Sequence, residues 1–324
     1  MRHLLALALL AATPAAALEL GLPAACQPGV DCYVQQFPDM QEGEATADPF
    51  CGTATYDGHA GTDLRVLSMK DVARGVAVTA MADGTVLRGR DGVPDSLVVT
   101  PEDRARVGKV ECGNGLVLDL GGGYEAQYCH MKQGSIAVKP GATVKRGDRL
   151  GEVGASGMAA FPHVHVTIRK DGKTVDPATG RALGEGCRTG DAAAQPLFAP
   201  DVLASLGTGE AQIIGIGLAG APVEHAGLGL SGAPPKPDTM SSAHVGWAWF
   251  INLRGGDRVR IRLTGPDGSV VGENFSEPMD RSKASWSGFA GKRGAPRPGD
   301  YIVTAEVIRG DRVVAAKEEV VRID

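Results

Sequence analysis

The sequence predicts a mostly-β protein of two domains, and three observations predict it. Glycine (46) and proline (20) are abundant, aromatics make up only 5% of the chain and no long heptad pattern occurs; such a composition favours short strands joined by turns. Between Cys51 and about Leu183, turn signals recur at short intervals with Val-rich runs between them. They include Asp57-Gly58, Asp83-Gly84, Asp91-Gly92, Gly121-Gly122-Gly123 and Asp171-Gly172. From about Asp201 the chain turns strand-like again, in "VGWAWFINL", "DRVRIRLTGPDGSVV" and "GDYIVTAEVIRGDRVVAAKEEVV". No stretch beyond residue 17 predicts a helix.

The segments follow in order. "MRHLLALALLAATPAAALEL" reads as a secretory signal over residues 1–17: Arg2 is its charged end, Leu4 to Ala12 its apolar run, and Ala15-Ala16-Ala17 its small-residue cleavage site. The run is too short to span a bilayer, which needs about 20 apolar residues. No later stretch is apolar enough either, so the expected product is exported and not inserted in a membrane. Six cysteines in an oxidising compartment predict three disulfides. Cys112 and Cys129 flank the hairpin outlined by "GLVLDLGGGYEAQYCHM" and are the expected pair. "LPAAC", ending at Cys26, is a poor lipid-attachment box because Pro23 stands where Leu is wanted, and lipidation would leave five cysteines.

Residues 18–50 read as an irregular, Cys-pinned segment and 51–183 as the first domain. "GEGCRTGDAAAQPLFAP" (184–200) reads as a linker and 201–324 as the second domain. Pro298-Gly299-Asp300-Tyr301 opens an alternating strand and looks like the tyrosine-corner region of an immunoglobulin-like β-sandwich. A net charge of −5 argues against nucleic acid and gives no reason to bind an anionic membrane.

Four of the seven histidines fall in the first domain: His59, His130, His163 and His165. "GHAGTD" places His59 and Asp63 in a glycine-flanked loop that can bend tightly around an ion. Both are good Zn²⁺ ligands, and a catalytic zinc needs three protein ligands plus an open position. His165 or His163 would supply the third; a surface His and a capping Asp is the bland reading of the same motif. In "FPHVHVTIRKDG", His163, His165 and Thr167 share one strand face, and Val164, Val166 and Ile168 the other. His130, in "QYCHM", taken alone reads as structural. Its neighbour Cys129 points to the opposite face of a regular strand and cannot readily pass it a proton, so a disulfide is the better use of Cys129. Ser156 in "GASG" lacks the strand-elbow-helix context of a hydrolase nucleophile.

In series, "GHAGTD", "AMADGTVL", "GNGLVLDLGGGYEAQYCH", "VKPGATVKRGDRLGEVGASG" and "FPHVHVTIRKDG" resemble the lysostaphin/LytM-type zinc metallopeptidases over about residues 51–180. The resemblance implies an antiparallel-sheet catalytic domain of the lysostaphin type (a duplicated hybrid motif) folded over a groove floored by one Zn²⁺. It implies His59, Asp63 and His165 as metal ligands, His130 and His163 as catalytic non-ligand residues, and hydrolysis of peptidoglycan stem or cross-link peptides. Departures are small: Val164 and Val166 replace residues that are often Leu and Phe, and Cys129 stands where a small residue is common. Two imidazoles and one carboxylate would let zinc lower the pKa of a water to about 7. A histidine would then take the water's proton and return it to the leaving amine, a shuttle worth roughly 10²–10⁴-fold. Were both His163 and His165 ligands, the open position would be filled. His165 is therefore expected to hold the metal, and His163 the proton or the oxyanion.

Two alternatives come with this reading: a non-catalytic LytM-like activator of a murein amidase, or a zinc peptidase acting on proteins. Activators usually lose metal ligands, and the full set here speaks against that role. Some members lay an N-terminal segment across the groove and block it, and by that resemblance alone residues 18–50 could do the same. No cationic wall-binding repeat is present, which favours the periplasm over a thick outer wall. Trp247, Trp249 and Trp286 all fall in the second domain, where core packing is the commoner use and sugar stacking the alternative. His225 and His244 read as surface polar residues, and Asp119 and Asp176 as turn-formers or strand caps.

Overall fold

The computed structural model describes residues 17–187, 190 and 195–324. The expected signal sequence, apart from Ala17, and part of the expected linker lie outside these residues.

The first half is organised on one eight-stranded antiparallel sheet. Its elements begin with β1 (Cys32–Gln36), β2 (Thr62–Val66), helix α1 (Met69–Arg74), β3 (Ala77–Thr79), β4 (Gly84–Arg90) and helix α2 (Pro101–Val107). They continue with β5 (Asn114–Gly121), β6 (Tyr124–Met131), β7 (Thr143–Val144), β8 (Arg149–Glu152), β9 (His163–Lys170) and β10 (Lys173–Val175). The sheet runs β1-β2-β9-β6-β5-β4-β7, with β10 paired to β9, while β3 and β8 form a separate ribbon. Gly121, Gly122 and Gly123 turn the β5–β6 hairpin at φ of 77°, 58° and 81°, a region that glycine alone enters freely. Asp119 accepts the Gly121 N–H there at 2.8 Å, the turn role expected of it. Asp176 likewise accepts from the Ala178 N–H and the Thr179 hydroxyl.

The second half comprises helix α3 (Pro200–Leu206), β11 (Gln212–Ala219), helix α4 (His225–Ser231), β12 (Ala243–Leu253) and β13 (Arg258–Thr264). It ends with β14 (Val270–Phe275), β15 (Lys283–Arg293), β16 (Gly299–Arg309) and β17 (Arg312–Ile323). Two sheets, β11-β12-β15 and β14-β13-β16-β17, close on Ala248, Phe250, Ile261, Leu263, Val303 and Ala305 to make a β-sandwich. Tyr301 accepts the Arg297 N–H at 3.0 Å, which is the bond of a tyrosine corner.

Several expectations are corrected. Four helices are present among the described residues, each of six or seven residues. Such lengths are under two turns, too short for a 3.6-residue period to register in sequence. Local caps hold two of them: Asp71 accepts from the Ser68 N–H, and Thr100 and Asp103 bond reciprocally. Residues 18–50 are not wholly irregular. β1 is the sheet's edge strand, and Leu20, Val34 and Phe37 belong to the first core. That core runs on through Phe198, Val202 and Leu206, past the boundary expected near Asp201. All three disulfides form, as Cys26–Cys32, Cys51–Cys187 and the expected Cys112–Cys129.

β12 is buried along its whole length. One face, with Ala248 and Phe250, enters the sandwich core. The other, with Val245, Trp247, Trp249 and Ile251, packs with Tyr33 of β1 in a third core between the halves. Trp247 and Trp249 therefore do pack, but outside the sandwich's own interior, whereas Trp286 packs inside it against Phe250. Each buried Trp removes about 150–250 Å² from water, about 4–6 kcal/mol as an upper bound. With both faces of β12 covered, His244 is 4% exposed and not on the surface, and its Nδ1 donates to the Gly294 carbonyl.

Candidate metal centre

β2 and β9 lie side by side and antiparallel, with Asp63 opposite His165 and Arg65 opposite His163. The period of two along each strand then puts all four side chains on one face. The loop before β2 brings His59 onto that face. Gly61 must be glycine there, because a Cβ would lie 2.5 Å from both the His165 ring and the Val166 carbonyl.

His130 arrives from β6, on the far side of β9, through a β-bulge. Three steps on β6, Tyr128 to Met131, oppose two on β5, Leu116 to Asn114. His130 takes a left-handed φ of 60°, its N–H donates to the Cys112 carbonyl, and the Cys112–Cys129 disulfide ties the same two strands. Its ring centroid comes 4.5 Å from that of His163 and 5.9 Å from that of His165. All five residues singled out in the sequence thus meet in one place.

His59 Nε2, Asp63 Oδ1 and His165 Nδ1 form a tight triangle of donor atoms, with sides of 3.2, 2.8 and 3.3 Å. Bonds of 2.0–2.2 Å in a tetrahedron imply donor separations of about 3.3–3.5 Å. Two sides come close to this and the third is shorter; with two imidazoles and a carboxylate as donors, the group fits a zinc ion. The mutually close set is His59, Asp63 and His165, without His130 or His163.

Hydrogen bonds fix which nitrogen each ring turns inward. The Nδ1 atoms of His59, His130 and His163 meet the carbonyls of Phe37, Ser156 and Phe161 at 2.7, 2.8 and 2.7 Å. Each Nε2 is then left free for the centre. His165 is the reverse, with Nε2 on the Thr167 hydroxyl at 3.0 Å and Nδ1 inward. Partners of this kind set the tautomer and orientation of a metal-binding histidine.

Electrostatics separates the carboxylate from the outer imidazoles. Burial opposes ionisation of Asp63, but the surrounding His59 and His163 and the bonds from His165 and His59 outweigh it and hold the carboxyl well below its usual range. Burial also works against a charged His59, yet Asp63 and the Phe37 carbonyl together raise its pKa. Burial pushes His130 well down, aided by His163 and His165, and burial likewise lowers His163. Both are neutral at pH 7 and able to accept a proton.

The centre opens into a cleft of about 690 Å³ lined by Tyr56, Arg104, Phe161, His225 and Trp249 among others. Sequence reasoning missed this wall. Tyr56 packs its ring 4.6 Å from His59, and burial, then Asp63, pushes its phenol up to about 12, so it stays protonated. Arg65 carried a signal that went unread, being a charge at an inward position two residues after Asp63. His225 is exposed, as expected, and lines the cleft, bonded to Ser287 and Ser285.

Residues 57–177 match Peptidase family M23. The chain is similar to a protein of Haemophilus influenzae named as an uncharacterized metalloprotease, 30% identical over 126 residues, covering 39% of this chain and 22% of that one. It is also similar to the peptidoglycan DD-endopeptidase ShyB of Vibrio cholerae, 36% identical over 64 residues, covering 20% of this chain and 15% of ShyB. The chain thus spans about a fifth of the length of these relatives or less. Among solved structures it is similar to the catalytic domain of lysostaphin from Staphylococcus simulans, 20% identical, covering 45% of this chain and 85% of that one, with a TM-score of 0.28. No helix among the described residues is long and apolar enough to cross a membrane. His59, Asp63, His130, His163 and His165 all fall within residues 57–177, the domain that matches Peptidase family M23.

Proposed function

We propose that this chain is an exported, zinc-dependent endopeptidase that hydrolyses stem or cross-link peptide bonds of peptidoglycan. The observation that carries the reading is the complete constellation: three inward donor atoms at metal-binding spacing and two further imidazoles beside them, every ring fixed by a hydrogen bond. A zinc ion held by His59, Asp63 and His165 would supply Lewis acidity toward the amide carbonyl and an activated water.

The chain's own residues do the rest. His130 and His163 present neutral Nε2 atoms to the centre, since their Nδ1–H groups are spent on carbonyls. One takes a proton at Nε2 and returns it to the leaving amine; the other can donate to the carbonyl oxygen, as charge gathers there, only when it carries a proton at Nε2 taken up from solvent. Asp63 stays ionised and holds the ligand set together. The amidase-activator reading has no support in the site, because no ligand is missing.

Zinc content should be one ion per chain, and the protein should release soluble fragments from purified murein in a chelator-sensitive way. Product masses from defined muropeptides would name the bond. A zinc-loaded protein that frees nothing from murein but stimulates an amidase, or that cuts only proteins, would sink the proposal.

Asp63 is the sole acid among the residues lining the cleft, whereas Arg104 lines it with no ion-pair partner among the described residues. A peptide carrying free carboxylates, as murein stems do, suits that wall. Arg104→Ala is expected to raise KM for carboxylate-bearing muropeptides about fivefold with kcat kept, the scale of one exposed charge contact. An equal effect on amidated muropeptides would show that Arg104 does not read the carboxylate.

A further inference from the structure

A continuous stack of flat groups leads from the centre to the sandwich. His130 and His163 lie 4.5 Å apart between centroids, and Phe161 lies 4.5 Å from His163 with its plane tilted by 32°. The Arg65 guanidinium sits 5.1 Å from the Phe161 ring on one side and 4.6 Å from the Trp249 ring on the other. Trp249 belongs to β12, in the second half of the chain, and His225 of α4 meets it edge-on at 6.2 Å.

Arg65 is 1% exposed and has no carboxylate within ion-pair distance among the described residues. Burial pulls its pKa down to about 9, which still leaves it charged at pH 7. Its edge is held by the Val66 and Leu67 carbonyls and by the Gln35 side chain. With the edge fixed and Asp71 acting only from beyond ion-pair distance, the two aromatic faces add to what stabilises the cation. Trp249 is in turn fixed by burial and by its indole N–H on Ser285 at 2.8 Å.

From this we infer that Trp249, acting through Arg65 and Phe161, is a positioning residue for His163, so that the second half of the chain is part of the catalytic apparatus. The inference rests on the reading of His163 as a proton-handling residue. Phe161 touches His163 twice, through its carbonyl on Nδ1 and through its ring. Take away Trp249 and one face of the guanidinium lies bare toward the cleft. Arg65 then shifts to find water, Phe161 loses its backing and the imidazole loses its fixed place. Misplacement by about 1 Å can cost on the order of 100-fold in rate.

The test uses the full chain with Trp249→Leu, Trp249→Phe and Phe161→Leu. Trp249→Leu should keep its zinc and its KM within about twofold, while kcat falls about 10- to 100-fold. Trp249→Phe, which keeps an aromatic face, should recover most of the loss. Phe161→Leu should match Trp249→Leu, and the double variant should lose no more than either alone. In NMR spectra the imidazole resonances of His163 should move in both Leu variants while those of His59 and His165 stay. A Trp249→Leu protein with full kcat, or one that fails through KM or zinc, overturns the inference. If the wild type cleaves no peptide at all, the functional proposal fails by itself, and the His163 resonances still decide the positioning. Should Trp249→Leu not fold, Phe161→Leu and Trp249→Phe carry the same two readouts.

Discussion

His165→Ala is expected to purify without zinc and without activity, whereas His163→Ala keeps its zinc and loses roughly 10²–10⁴-fold in kcat. The two residues sit two positions apart on the same face of β9, so the difference is one of atoms. His165 directs Nδ1 at Asp63 and His59, at 2.8 and 3.3 Å, and its removal leaves only two donors for a metal. His163 brings Nε2 no closer than 3.5 Å to Asp63 and packs between Phe161 and His130. Metal analysis beside murein digestion separates the cases. Equal zinc loss in both variants would make His163 a ligand and remove the proton-handling role proposed for it.

Replacing both Cys112 and Cys129 by Ser should lower stability by about 3 kcal/mol, the chain-entropy value for a loop this short. The 17-residue separation sets that figure. Activity should fall further than stability alone explains. The left-handed backbone at His130 costs about 1–3 kcal/mol and persists only while its surroundings enforce it. Without the crosslink, the β5–β6 ladder can drop the bulge and pair regularly, which turns the His130 ring away from His163. Zinc should remain, since its three ligands come from β2, β9 and the loop before β2. Urea unfolding, zinc content and kcat measured together test this. A folded double variant with undiminished kcat would refute the link between the disulfide and His130.

What was legible in the sequence was local. Strict alternation in "HVHVTI" gives the shared face of His163 and His165, and the glycine-flanked "HAGTD" gives a tight loop with two ligand types. Less legible was anything that depends on counting residues across partner strands. Regular strand geometry set Cys129 and His130 back to back, and only the two-against-three pairing with β5 shows how His130 reaches the centre. Still less legible was contact between distant segments. Arg65 reads as a surface charge until Phe161 and Trp249 appear on either side of it. Likewise His244 reads as polar surface until both faces of β12 are seen to be covered.

That doubly covered strand bears on how freely the segment that holds the candidate metal centre could be moved between proteins. The stretch matching the family, residues 57–177, carries every candidate ligand and proton carrier. Yet it leaves behind the Phe37 carbonyl that orients His59, the whole Cys51–Cys187 disulfide, and the Trp249 ring beneath Arg65. Grafted alone onto another chain, it would arrive with a raw apolar flank and two of its histidines less firmly held. Recombination at the segment's edges would be punished, and the two halves of this chain should be inherited as one piece.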